Sequence, residues 1–158
     1  MLKIMFVCHG NICRSPMAEF IMRKMLEENG LSDKVSVSSS ATSTEEIWDG
    51  VGNPVYPPAR EELRKHGISC DGKRAVQLCA DDLGRYDMFI GMDDMNIRNM
   101  RRILGKNADS KIHKLLDFTG RGGDVADPWY SGNFTVTYSD IYDGCTALLG
   151  YIREKGVI

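Results

Sequence analysis

An apolar run from Leu2 to Val7 passes without a break into Cys8-His9-Gly10-Asn11-Ile12-Cys13-Arg14-Ser15-Pro16. A strand candidate that enters a tight loop and then a helix start belongs to a sheet whose strands are joined by helices. Ser15 stands where a helix N-cap is expected, with Pro16 at the first helical position. Backbone N–H groups in such a loop can converge on one point, and the helix N-terminus behind them adds partial positive charge. Together they make a cradle for a tetrahedral oxyanion such as phosphate. Arg14 can supply a planar, two-pronged donor to two phosphate oxygens. The same field favours the thiolate of Cys8, the nucleophilic form of that side chain. A phosphate cradle with a thiolate at its floor points to phosphoryl transfer through a phosphocysteine.

The remaining chain alternates between strand and helix patterns. Pro16 to Glu28 carries Met17, Phe20, Ile21 and Met25 at helical spacing, and Asn29-Gly30 stops it. Val35-Ser36-Val37 reads as a second strand, and the polar stretch Ser38 to Pro57, with Gly50, Gly52 and Pro54, as a functional loop. A helix is expected from Pro58 through Leu63 to Lys65, ended by Gly67, then a buried strand over Tyr86 to Ile90. A helix from about Asp94 to Ile103, a fourth strand over Ile112 to Leu116 and a long loop from Asp117 to Asn133 follow. In the last helix Phe134, Tyr138, Ile141, Cys145, Leu148, Leu149 and Ile152 repeat at three and four, which makes them core.

This order predicts a three-layer α/β/α sandwich around a four-stranded parallel sheet, in one domain spanning 1–158. In such folds ligands bind beyond the carboxyl ends of the strands, where the Cys8 loop emerges. With 42% apolar and 27% charged residues the composition is that of an ordinary globular protein. A net charge of −2 argues against nucleic acid or an acidic membrane as partner. The Leu2–Val7 stretch is too short for a signal peptide or a transmembrane span. Five cysteines, an odd number without framework spacing, fit a reducing cytoplasm. Cys8 and Cys13 have no second ligand pair at a zinc-like spacing, and no metal or other cofactor is expected. Cys70, Cys79 and Cys145 read as structural.

A phosphocysteine mechanism needs a group that first gives a proton to the leaving oxygen and later takes one from water. Asp127 is the candidate, since Pro128 stiffens the backbone beside it; Asp124 lacks the adjoining Pro-aromatic pair. Ser15 can both cap its helix and donate to the Cys8 thiolate. Asn11 is expected in the left-handed conformation that few residues other than Gly, Asn and Asp accept. Cys13 shares the small loop with Cys8, so oxidation can join the two and protect the nucleophile. Trp129 and Tyr130 follow the acid and Trp48 lies in the long loop; such aromatics can sandwich an aryl ring.

V-C-H-G-N-I-C-R-S-P-M-A-E resembles the N-terminal signature of low-molecular-weight protein tyrosine phosphatases, and Asp127-Pro128-Trp129-Tyr130 resembles that family's acid loop. The likeness covers essentially the whole chain. It implies a hydrolase acting on tyrosine-phosphorylated proteins and small aryl phosphates, monomeric or weakly self-associating. Cys8 is then the nucleophile, Arg14 the phosphate ligand and Asp127 the general acid and base, with His9, Gly10, Asn11, Ile12, Cys13 and Ser15 forming the cradle. In the family the loop asparagine is tied to a serine and a histidine. By resemblance these are Ser39 and His66, with Asp93 beside His66. Many members carry Tyr where Trp129 stands, and the stretch from Ser43 to Pro57 is long; both bear on substrate choice.

Three other functions compete. Arsenate reductases of this fold relay electrons through two further cysteines, and Asp87-Met88-Phe89-Ile90-Gly91-Met92-Asp93 contains none. Protein arginine phosphatases place a threonine in the cradle where this chain has Ile12. A non-catalytic phosphotyrosine-binding module would need neither the Cys8 thiolate nor Asp127.

Overall fold

Along β1 (Leu2–Cys8) alternate side chains enter two separate cores, as a strand covered on both faces requires. Ile4, Phe6 and Cys8 join one core, while Met5 and Val7 join the other. The computed structural model describes residues 1–156. After β1 come α1 (Arg14–Glu28), β2 (Val35–Ala41), a short antiparallel pair β3 (Ile47–Trp48) and β4 (Val51–Gly52), and α2 (Pro57–Lys65). Then follow β5 (Met88–Gly91), α3 (Asp94–Leu104), β6 (Ile112–Lys114), α4 (Pro128–Ser131) and α5 (Phe134–Glu154).

The main sheet has four parallel strands in the order β2-β1-β5-β6. Buried residues of α1, α2 and α5, among them Met17, Ile21, Leu63, Cys145 and Leu148, pack on one face. Met100 and Leu104 of α3 cover the other with Phe89 and Ile112. The three layers and the parallel sheet match the sequence reading. No helix among the described residues is long and apolar enough to cross a membrane.

Several boundaries moved. The second strand runs to Ala41, because Ser38, Ser39 and Ser40 continue the ladder against Met5, Phe6 and Val7. The fourth strand stops at Lys114, and a 3₁₀ turn takes over at Leu115–Phe118. The first helix begins at Arg14 with Cys13 as its N-cap, so Ser15 lies inside the helix rather than capping it. The stretch from Asp117 to Asn133 holds α4, whose N-cap is Asp127.

From β1 the chain crosses to β2 on one side, and β5 lies on the other. The sheet therefore switches direction between β1 and β5, where open α/β sheets form their ligand crevice. Cys8 ends one of these strands, and Asp93 follows the end of the other as N-cap of α3.

Candidate active site

The loop between β1 and α1 is held from outside by its carbonyls. Those of Cys8, His9, Ile12 and Cys13 accept from the N–H groups of Thr42, Ser43, Tyr56 and Met17, at 3.0, 3.0, 2.8 and 3.1 Å. Every peptide bond among the described residues is trans, so each outward carbonyl turns the next residue's N–H inward. Asn11, with φ of 58°, makes the turn in the left-handed conformation expected for it.

Three donors meet at the Cys8 sulfur. The backbone N–H of Asn11 lies 3.3 Å away, that of Ser15 3.4 Å, and the Ser15 hydroxyl 3.0 Å. Ser15, displaced from the capping position, thus reaches the Cys8 sulfur. Arg14 is 3% exposed, and its Nη1 donates to Asp93 at 2.7 Å and to the Val125 carbonyl at 2.8 Å. Burial opposes the guanidinium charge, but Cys8, Asp93 and Asp127 outweigh it and hold the arginine above its ordinary range. Burial, reinforced by Cys8 and Asp127, pushes the Cys13 thiol far up, so it is held as a neutral thiol.

Asp127 caps α4 by accepting from the Trp129 N–H at 3.0 Å, and its other oxygen lies 3.6 Å from Arg14 Nη2. The cap fixes the carboxyl at the mouth of the cavity. One pocket of about 140 Å³ brings together Cys8, His9, Gly10, Ile12, Cys13, Arg14, Asp127, Trp129 and Tyr130. Trp129 leans on Tyr56, their ring centroids 4.8 Å apart. Glu45 and Glu46 complete the wall, and Glu45 pairs with His9 at 3.0 Å. Neither glutamate was singled out from the sequence, where nothing distinguishes them from solvated loop residues.

Other candidates lie elsewhere. Trp48 is 85% exposed on β3 and does not line the pocket. Asn11 and Ser15 belong to the loop, but both are buried and do not line the pocket. Asn11 Nδ2 donates to Ser39 Oγ at 2.9 Å, but His66 is no part of that brace. His66 stacks on Tyr138 with centroids 3.8 Å apart and meets Glu62 at 3.3 Å. Asp93 accordingly faces Arg14 rather than His66. The polar partners behind Ser39 are Glu19 and Lys73, on α1 and in the irregular segment before Val76.

Comparison with known proteins agrees with this geometry. Residues 3–157 match the family described as low molecular weight phosphotyrosine protein phosphatase. The chain is 40% identical over 157 residues to low molecular weight protein-tyrosine-phosphatase YfkJ of Bacillus subtilis, covering 98% of each. It superposes on the crystal structure of that protein with a TM-score of 0.92, covering 98% of this chain and 96% of the other. A low molecular weight protein tyrosine phosphatase from Streptococcus pyogenes, SP-PTP, is 37% identical, with a TM-score of 0.85 and coverage of 96% and 93%.

Proposed function

This enzyme belongs to the low-molecular-weight protein-tyrosine-phosphatase family, and we propose that it hydrolyses phosphotyrosine in proteins through a phosphocysteine on Cys8. The observation that carries the reading is the convergence of three donors on the Cys8 sulfur in a pocket shared with Arg14 and Asp127.

In the first step the Cys8 thiolate attacks phosphorus in line with the ester oxygen. A sulfur–phosphorus bond forms, the oxygen–phosphorus bond breaks, and Asp127 gives its proton to the departing phenolate. Arg14 and the inward N–H groups of the cradle hold the phosphoryl oxygens and gain most as charge spreads over them. In the second step water attacks the same phosphorus, Asp127 takes its proton, and the thiolate leaves. Ser15 and Asn11 stabilise sulfur in both roles, as nucleophile and as leaving group. The positive charge comes from Arg14 and backbone dipoles, so neither step calls on a metal.

Substrate choice follows from the walls. Ile12 brings a branched apolar side chain to the cradle, and Trp129 and Tyr130 flank the acid, which suits an aryl ring better than a guanidinium. Arsenate reduction lacks its cysteine relay in Tyr86–Asp93, and a pure binding module has no use for the Asp127 carboxyl. The preferred partner is a tyrosine-phosphorylated protein met by one phosphatase domain, monomeric or weakly self-associating, in the reducing cytoplasm that keeps Cys8 and Cys13 as thiols.

The test compares specificity constants of chelator-treated wild-type protein on phosphotyrosine, phosphoserine and phosphoarginine peptides and on arsenate with thioredoxin. Phosphotyrosine should lead. Arsenate reduction, or phosphoarginine preferred over phosphotyrosine, assigns the chain to a different reaction.

A further inference from the structure

Behind the cradle a chain of hydrogen bonds leads away from Cys8 to a second buried anion. Asn11 Nδ2 donates to Ser15 Oγ at 2.8 Å and to Ser39 Oγ at 2.9 Å. The orientation of that amide is set by its oxygen, which accepts from the Val76 N–H at 3.0 Å. Each serine therefore accepts from Asn11 and has one proton left to give. Ser39 gives its proton to Glu19 Oε1 at 2.5 Å. Ser15 has Cys8 Sγ at 3.0 Å and the Ser40 carbonyl only at 3.5 Å, so its proton goes to sulfur. The arrangement is symmetric: one amide feeds two hydroxyls, and each hydroxyl feeds one anion.

Glu19 is 5% exposed, a position where a carboxylate survives only if paired. Arg23, one turn along α1, donates to it at 2.6 Å, and Lys73 lies 3.7 Å away while also donating to the Ser39 carbonyl at 3.0 Å. Burial lowers the Lys73 ammonium below its ordinary range, with Glu19 and Cys8 pulling it back up. Arg23 and Lys73 thus complete the polar partners of the Glu19 carboxyl group.

We propose that Glu19 is a positioning residue for the nucleophile: by taking the Ser39 proton it holds Asn11 in its left-handed turn and directs the Ser15 proton to the Cys8 sulfur. This rests on the reading of Cys8 as the nucleophile. A simple field effect of Glu19 would have the opposite sign. A nearby negative charge disfavours a thiolate, so neutralising it should make Cys8 more reactive; loss of the relay makes Cys8 less reactive.

The experiment measures the rate at which iodoacetamide alkylates Cys8 at one fixed neutral pH, located by peptide mapping, together with kcat and KM on an aryl phosphate. Glu19→Gln should slow alkylation and kcat alike by about tenfold, the scale of one charge-assisted hydrogen bond, with KM little changed. Ser39→Ala should do the same, and the double variant should lose no more than the worse single one, because both act through one chain. Glu19→Asp keeps the charge but withdraws it from Ser39 by one methylene, and should be slow as well; it carries the test if the Gln variant does not fold. Alkylation at or above the wild-type rate in the Glu19 variants, or losses that multiply in the double variant, overturns the role. If Cys8 alkylates as described but no aryl phosphate is turned over, the phosphatase reading fails and the positioning role stands.

Discussion

Asp127 Oδ2 lies 3.6 Å from Arg14 Nη2, at the mouth of the pocket whose floor is Cys8. A phosphate ester held by the guanidinium therefore brings its leaving oxygen to the acid side of the cavity. Asp127→Asn should slow cleavage of esters with poor leaving groups by roughly 10²–10⁴-fold, and leave esters whose leaving group needs no proton much less affected. A leaving-group series under steady-state conditions measures this. Equal losses across the series would mean that Asp127 acts only as the cap of α4.

Arg14→Lys should be far from conservative. The guanidinium donates to Asp93 and the Val125 carbonyl through one nitrogen while its other nitrogens remain for phosphate. A lysine ammonium has three donors on one nitrogen, so it cannot hold those two partners and also grip phosphate in the two-pronged way of a guanidinium. The specificity constant on an aryl phosphate should fall by about 10²–10³-fold, the cost of losing one preorganised donor to a developing charge. Retention of wild-type activity would remove Arg14 from the mechanism.

Peroxide should inactivate the enzyme reversibly by joining Cys8 to Cys13. Burial and the neighbouring anions keep Cys13 a neutral thiol, so Cys8 is oxidised first and Cys13 resolves it. Since only the Cys13 thiolate attacks, closure of the disulfide should accelerate as pH rises. Mass mapping after a brief peroxide pulse at several pH values reads this directly. A Cys13→Ser variant that recovers with thiol as fully as wild type would contradict the role.

Gly52→Ala should destabilise the fold. A Cβ at Gly52 would stand 1.9 Å from the Ala75 carbonyl oxygen and 2.7 Å from the Ala75 nitrogen, both backbone atoms. The β3–β4 pair would have to move, and with it the Glu46 side of the pocket wall. A loss of about 1–3 kcal/mol is expected in urea unfolding, as for other overpacked sites. Unchanged stability would show that the segment around Ala75 yields freely.

The alternation of strands and helices was legible because buried parallel strands and amphipathic helices leave distinct periods. The loop from Cys8 to Pro16 was legible because Cys8, Arg14 and Pro16 each mark a local geometry. Ser38 to Ser40 misread as loop because polar residues on a buried strand are paid for by partners distant in sequence, as Ser39 is by Asn11 and Glu19. Ser15 looked like a cap because a Ser-Pro pair usually is one; here its hydroxyl is engaged by Asn11 and Cys8. The family resemblance points to His66, yet its ring packs on Tyr138, and the polar partners behind Ser39 are Glu19 and Lys73. Lys73 sits in an irregular stretch with no periodicity to point it inward, so only the folded chain reveals it.

The account depends most on a covalent bond between Cys8 and phosphorus. Rapid chemical quenching during turnover of an aryl phosphate, followed by mapping of the Cys8 peptide, tests it directly. A phosphoryl group on Cys8 that appears within the first turnover, and is absent from Cys8→Ser, is the predicted result. Turnover that persists in Cys8→Ser, or a phosphoryl group found on another residue, would contradict the mechanism.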